Sequence, residues 1–179
     1  MLKLTNILKT VLLELADNIK PFSYRKTGDY IKNDSDSVYL HGSKYYNFDT
    51  EHNLSYEVQI TYLGEDDQRY SYVDNEGQMV EIIFYTNGEE EEGSKNPFDT
   101  TNNPKEIYRV MGTIFDCIKE AREEEPFDYV IYQASDRKNF GKDPKAGEQR
   151  KKLYDYYFKK MFPGSKIENK DKFTIVTLK

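Results

Sequence analysis

The sequence predicts a mixed α/β domain in which an antiparallel meander leads into a core helix, a strand, a second helix and a last strand, with an added N-terminal helix. Three observations carry this. Residues 22–85 are rich in aromatic and β-branched residues separated by turn signals, which suits several antiparallel strands. From Ile107 to Ala121 apolar residues recur at helical spacing. Directly after that helix comes the apolar run Tyr129-Val-Ile-Tyr132, of the kind found in buried strands. A chain of 179 residues buries enough surface for a core without metal or disulfide staples, and one domain is the natural expectation.

Taken in order, Leu4, Ile7, Leu8, Val11, Leu12, Leu15 and Ile19 form one stripe that Pro21 ends, predicting an amphipathic helix over residues 2–19. Lys3, Lys9, Glu14 and Asp17 interrupt it, and no small-residue cleavage pattern follows, so it is expected to be neither a signal peptide nor a membrane span. The expected division is therefore a helix over 1–20 and a domain over 21–179. Within the domain, Leu54, Tyr56, Val58, Ile60 and Tyr62 alternate with Ser55, Glu57, Gln59 and Thr61, predicting a strand over 54–63 with one buried face. Further strands are expected at 38–41, 45–48, 69–73 and 79–85, with Asp74-Asn75-Glu76-Gly77 as a hairpin turn between the last two. Residues 86–103, with the run Glu89 to Glu92, read as a solvated loop.

Asn103 as cap and Pro104 at the first helical position open the core helix, whose stripe is Ile107, Val110, Met111, Ile114, Phe115, Ile118 and Ala121. Glu123 to Pro126 end it. A basic loop follows the strand at 129–132. The second helix is expected over about 147–162, stopped by Pro163-Gly164, and Phe173 to Leu178 is the closing strand.

Charge is divided along the chain. Residues 1–132 carry 13 Lys and Arg against 26 Asp and Glu, and residues 133–179 carry 13 against 6, giving the overall −6. The acidic bulk argues against nucleic acid as a partner, and the basic last quarter suits an anionic ligand or an acidic protein. A protein partner or self-assembly, through the N-terminal helix or the charged surfaces, is the expected contact, with no membrane involved. One cysteine, Cys117, closes no intramolecular bridge and points to a reducing compartment such as the cytoplasm. Between core positions, it reads as a small hydrophobe rather than a nucleophile.

Several chemistries are excluded on inventory. His41 and His52 have no Cys or paired carboxylate at ligand spacing, so no metal is expected. There is no Gly-x-Ser-x-Gly, no phosphate loop and no dinucleotide fingerprint, and two His with one Cys leave little room for a nucleophilic triad.

The order of elements resembles the general N-acetyltransferase (GNAT) superfamily, and two local matches add to it. Arg109-Val-Met-Gly112-Thr113-Ile114 is similar to that family's acyl-CoA motif, Arg/Gln-x-x-Gly-x-Gly/Ala, at the start of the core helix. There, free backbone N–H groups and the helix dipole hold the cofactor pyrophosphate. Arg150-Lys-Lys-Leu153-Tyr154 is similar to the family's Leu-Tyr on the next helix, whose tyrosine protonates the departing thiolate. The sequence departs from the family in having Ile114 at the second small position, Pro104 opening the helix about a turn early, and no Gly-Phe after the second helix.

The resemblance implies acetyl-CoA as cofactor, with Arg109, Gly112, Thr113 and Arg150 near it. It also implies Tyr154 as general acid, with a strand carboxylate, Glu81 or Glu57, as base. Each has a plainer alternative: Arg109 and Gly112 as a helix face and a close-packing point, Tyr154 as an aromatic covering the sheet, Arg150 as the partner of a buried carboxylate. Two functions follow, an acyl-CoA-dependent N-acyltransferase or a non-catalytic relative that keeps the fold. Divergent GNAT-like domains of this type resemble those of phage-encoded proteins. Abundant Lys, Asn, Tyr and Ile with only four Ala agree with AT-rich coding, so the second function implies a virion or host-interaction protein.

Overall fold

Alternation of apolar and polar residues shapes the architecture. In the computed structural model, which describes residues 20–28, 40–51, 54–74, 76–86, 104–133 and 145–179, seven strands form one sheet and two helices pack on it. The strands are β1 (Tyr24–Gly28), β2 (Leu40–Asp49), β3 (Ser55–Leu63), β4 (Met79–Thr86), β5 (Tyr129–Tyr132), β6 (Lys166–Lys170) and β7 (Phe173–Thr177). Helix α1 (Pro104–Glu124) joins β4 to β5, and α2 (Lys145–Met161) joins β5 to β6. The strand order is β1-β2-β3-β4-β5-β7-β6, antiparallel throughout except for the parallel pair β4–β5. This is a mixed α+β fold with a mostly antiparallel sheet. The N-terminal stripe, the acidic run Glu89 to Glu92, the histidine side chains and the basic loop after β5 lie outside the described residues.

Both helices cover one face. On β3 the expected alternation places Tyr56, Val58, Ile60 and Tyr62 there, all buried, with Val80 and Ile82 of β4, Val130 of β5 and Val176 of β7 beside them. Onto this face α1 presses Val110, Met111, Ile114, Phe115, Cys117, Ile118 and Ala121. Each large apolar side chain in that row contributes roughly 1.5–3 kcal/mol on burial, so packing rather than intrinsic propensity holds the helix. At its C-terminal end the Tyr62 hydroxyl reaches Ala121 O, which also accepts from Glu125 N, and Glu125 O just past the helix, at 3.2 and 3.0 Å. Lys26 and Lys44, from β1 and β2, both reach Glu124, at 2.6 and 2.7 Å. Cys117 is fully buried, and burial drives its thiol pKa up, as a structural cysteine requires.

The opposite face differs from the expectation. Residues 69–73 are not a strand: Gln68–Tyr72 is a short 3-10 turn, capped by the Asp67 carboxylate accepting from Arg69 N. Tyr70, Tyr72 and Val73 close over a second apolar cluster of Leu63, Met79, Tyr129, Ile131 and Ile175. The hairpin expected between 69–73 and 79–85 therefore has no first strand, and β3 pairs with β4 directly. The strands expected at 38–41 and 45–48 are one strand, β2, with a shift of register between Leu40 and Gly42. Gly77, at φ 154°, is required: a Cβ there would stand 2.7 Å from Asp128 Oδ2.

Candidate functional site

Strands β4 and β5 run parallel and pair at only three positions, Met79 with Tyr129, Val80 with Val130 and Glu81 with Ile131. Beyond them β4 continues through Ile82 to Thr86, while β5 ends at Tyr132. Where β5 ends, a narrow slot lined by β4, β5, α1 and α2 lies on the helix-covered side of the sheet. That slot is the natural place to look for chemistry, because the strand before the core helix and the helix after it both border it.

The slot is filled by aromatic rings. Tyr154 of α2 meets Phe84 of β4 edge-on, with centroids 5.6 Å apart and planes at 81°, and Tyr132 of β5 at 5.6 Å and 80°. Tyr132 stacks on Phe158 at 5.5 Å and 10°, and Phe158 meets Phe115 at 4.7 Å. Ile82, Met111, Ile114 and Ile118 complete the lining, and the cavity left is about 20 Å³. That is room for one water, but the walls supply few polar partners to hold one. Tyr154 itself is only 9% exposed. The Tyr132 hydroxyl donates to Asp155 Oδ1 at 2.9 Å, and Lys151 donates to Asp155 Oδ2 at 3.2 Å. Burial first, and the Asp155 charge second, push the Tyr132 pKa far up, so it stays a neutral phenol. Tyr157, donating to Tyr108 O at 2.9 Å, ties α2 to α1 beside the slot.

The residues of the glycine motif lie elsewhere. At 100° per residue, Arg109, Gly112 and Thr113 fall about half a turn of α1 away from Met111, Ile114, Phe115 and Ile118, which face the slot. Arg109 Nε donates to Lys20 O at 3.1 Å, its guanidinium stacks 3.8 Å from the Phe22 ring centroid, and its Nη1 pairs with Glu51. Gly112 permits a close approach: a Cβ there would meet Pro21 Cγ at 3.3 Å. Thr113 Oγ1, fully buried, accepts from Phe22 N at 2.8 Å and donates to Arg109 O at 2.8 Å. Together the three clamp residues 20–22 onto α1. The Arg150 side chain lies outside the described residues.

Nor does the sheet bring the two carboxylates to Tyr154. Glu81 and Glu57 belong to the face away from the helices, as the alternation with Val80, Ile82, Tyr56 and Val58 requires. Glu81 accepts from Arg69 Nη1 at 2.7 Å, and Arg69 forks Asp67 through Nε and Nη2, each at 2.8 Å. Arg69 holds the Asp67 carboxyl below its usual range. Glu57 accepts from the Tyr85 hydroxyl, a bond that raises the Tyr85 pKa to about 12 ahead of the smaller effect of burial. Ile83 and Tyr85, at 44% and 39% exposed, stand out on that face.

Sequence reasoning missed Phe84, Tyr132 and Phe158 as a unit with Tyr154; only the alternation of β4 and β5 hinted which of their residues face α2. No group of three or more His, Cys, Asp or Glu able to hold a metal occurs among the described residues, and no described helix is long and apolar enough to cross a membrane. Comparison with protein-family models, curated proteins and solved structures gives no match.

Proposed function

We propose that this chain is a divergent GNAT-like protein that has kept the fold and acts through its surfaces rather than by acyl transfer. One observation carries the reading: the slot between β4 and β5 is occupied by Phe84, Tyr132 and Tyr154, leaving about 20 Å³. An acyl-CoA arm requires a far larger space. The clamp made by Arg109, Gly112 and Thr113 on residues 20–22 supports it, since the groups a pyrophosphate would need are already committed to packing. The exposed pair Ile83 and Tyr85, flanked by Glu57, offers a contact surface for a protein partner. Given the resemblance to phage-encoded domains, a virion or host-interaction role is the form this reading takes.

The test is calorimetry and thermal unfolding with acetyl-CoA at about 1 mM, where a ligand specific to the native state raises the melting temperature. This reading expects no heat of binding and no shift. Saturable stabilisation overturns it.

A second reading has an observation of its own. The parallel pairing of β4 with β5 stops after three positions, which is compatible with the opening that N-acyltransferases of this family keep between two such strands. In that reading the rings swing aside, the amine attacks the acetyl carbonyl and Tyr154 protonates the CoA thiolate that departs, while the base and the cofactor contacts come from groups other than Glu81, Arg109, Gly112 and Thr113, which face away from the slot. Acetylation of a polyamine or peptide amine, lost in Tyr154→Phe, is the result that would favour it.

A further inference from the structure

The face of the sheet away from the helices is covered at one end only. Where β4 begins, Tyr70, Tyr72 and Val73 close over Leu63, Met79 and Tyr129. Where β4 finishes, two cross-strand rows stay open, one running from Tyr45 through Gln59 to Ile83 and the other from Asn47 through Glu57 to Tyr85. Among the described residues, Ile83 and Tyr85 are the large apolar side chains left exposed, and both stand here, with Tyr45 half-buried beside them.

The place where the chain enters the fold matters for what covers this patch. Phe22 stacks on Phe48 with centroids 6.0 Å apart. Phe48 in turn pairs through Tyr56 with Thr86. Lys20, its carbonyl held by Arg109, therefore stands at the end of the sheet that carries Tyr85. Residues 2–19 precede it; they lie outside the described residues, and their sequence carries the apolar stripe from Leu4 to Ile19. Three seats are within reach of that stripe. The helix-covered face is filled by its own core. The outward sides of the helices are charged, with Asp116, Lys119 and Glu123 on α1 and Lys152 and Lys159 on α2. Only the open rows combine apolar and aromatic surface. Length agrees as well: a helix over residues 2–19 spans about 27 Å, and the strand β3 that runs under the patch spans about 30 Å.

We infer that residues 2–19 are an intramolecular cover, their apolar stripe docking on the sheet over Ile83, Tyr85 and Tyr45 and their charged side facing water. Removal of apolar surface from water drives the contact, and the tether at residues 20–22 keeps the segment at high effective concentration. The pair is thus covered in the free chain, and a partner that uses it displaces the segment. The docking is independent of whether the slot takes acetyl-CoA, so the two tests fail separately.

The chain contains no tryptophan, so a single introduced indole reports on the segment. In the full chain, Leu8→Trp places it on the stripe, and Asn6→Trp places it on the opposite side of the same helix. Leu8→Trp is expected to emit at shorter wavelength than Asn6→Trp and to be quenched by acrylamide at least about threefold less. Adding Ile83→Asp to Leu8→Trp should abolish that protection, and Tyr85→Ser provides a second disruption of the patch. Lys119→Asp, on the outward side of α1, should leave the protection in place. Unchanged backbone amide spectra of β3 verify that the sheet is intact in each variant. The inference is overturned if the two indoles are equally exposed, or if protection survives both patch variants. It is also overturned if Lys119→Asp removes protection equally, or if protection appears only as protein concentration rises, which would make the occupant a second copy.

Discussion

Replacing Tyr154 by Ala and, separately, by Phe tests whether its ring is packing material. Tyr154 is 9% exposed and shares edge-on contacts with Phe84 and Tyr132. Each such aromatic pair contributes about 0.5–1.5 kcal/mol beyond burial, and removing a large buried ring costs about 3–5 kcal/mol once the void is included. The Ala variant is therefore expected to lose about 4 kcal/mol, which in a domain of this size lowers the melting temperature by about 10 °C. The Phe variant keeps both ring contacts and loses only the hydroxyl's interactions, about 1 kcal/mol. Urea unfolding of the three proteins at neutral pH, with the denaturant slope checked for constancy, gives the two differences. If the Ala variant costs less than about 1 kcal/mol, the ring is not packed, the slot is open, and the closed-slot reasoning is wrong.

Two further outcomes follow from the clamp and from the ion pairs at the end of α1. Thr113→Val should destabilise by about 2 kcal/mol in urea unfolding, because the buried Phe22 N–H loses its acceptor, while Thr113→Ser should cost less; a larger loss in Thr113→Ser than in Thr113→Val would show that the methyl, not the bond, matters. Glu124→Gln strands the Lys44 ammonium, whose side chain is 4% exposed, and should cost about 2 kcal/mol at pH 7, whereas Lys44→Met should cost less because it removes the buried charge itself. Hydrogen bonds from Lys26 and then Lys44 hold the Glu124 carboxyl below its usual range. The stabilisation is thus complete above the ordinary carboxylate range and is lost as pH falls through the lowered native value. The gap between wild type and Glu124→Gln should narrow over that acid window. A gap independent of pH would contradict the linkage.

Elements with strong periodicity are legible in the sequence. Tyr56 to Tyr62 alternate over a half-buried strand, Ile107 to Ala121 repeat at helical spacing, and four consecutive apolar residues mark β5, so β3, α1 and β5 stand close to where the sequence puts them. Residues 69–73 misled because Tyr70, Tyr72 and Val73 look like strand residues. Their aromatic surface instead caps a second apolar cluster, and Asp67 turns the chain with a side-chain cap that composition does not reveal. Strand β6 was invisible: Lys166 to Lys170 is an edge strand with charged residues, which blunts the edge and erases the pattern. The slot was only half legible. Tyr154 carried a signal from its resemblance, but Phe84, Tyr132 and Phe158 are separated by tens of residues and meet only through the sheet and α2. Equally, Arg109, Gly112 and Thr113 spell a motif in one dimension while the helix turns them away from the slot, toward residues 20–22.

Ring-to-ring nuclear Overhauser contacts, recorded with and without acetyl-CoA, examine the plugged opening directly. The account predicts contacts from Phe84 to Tyr154 and from Tyr132 to Tyr154 that persist unchanged in intensity and shift at about 1 mM cofactor. Loss of those contacts on adding acetyl-CoA, with new ones between the cofactor and Met111 or Ile114, would contradict it.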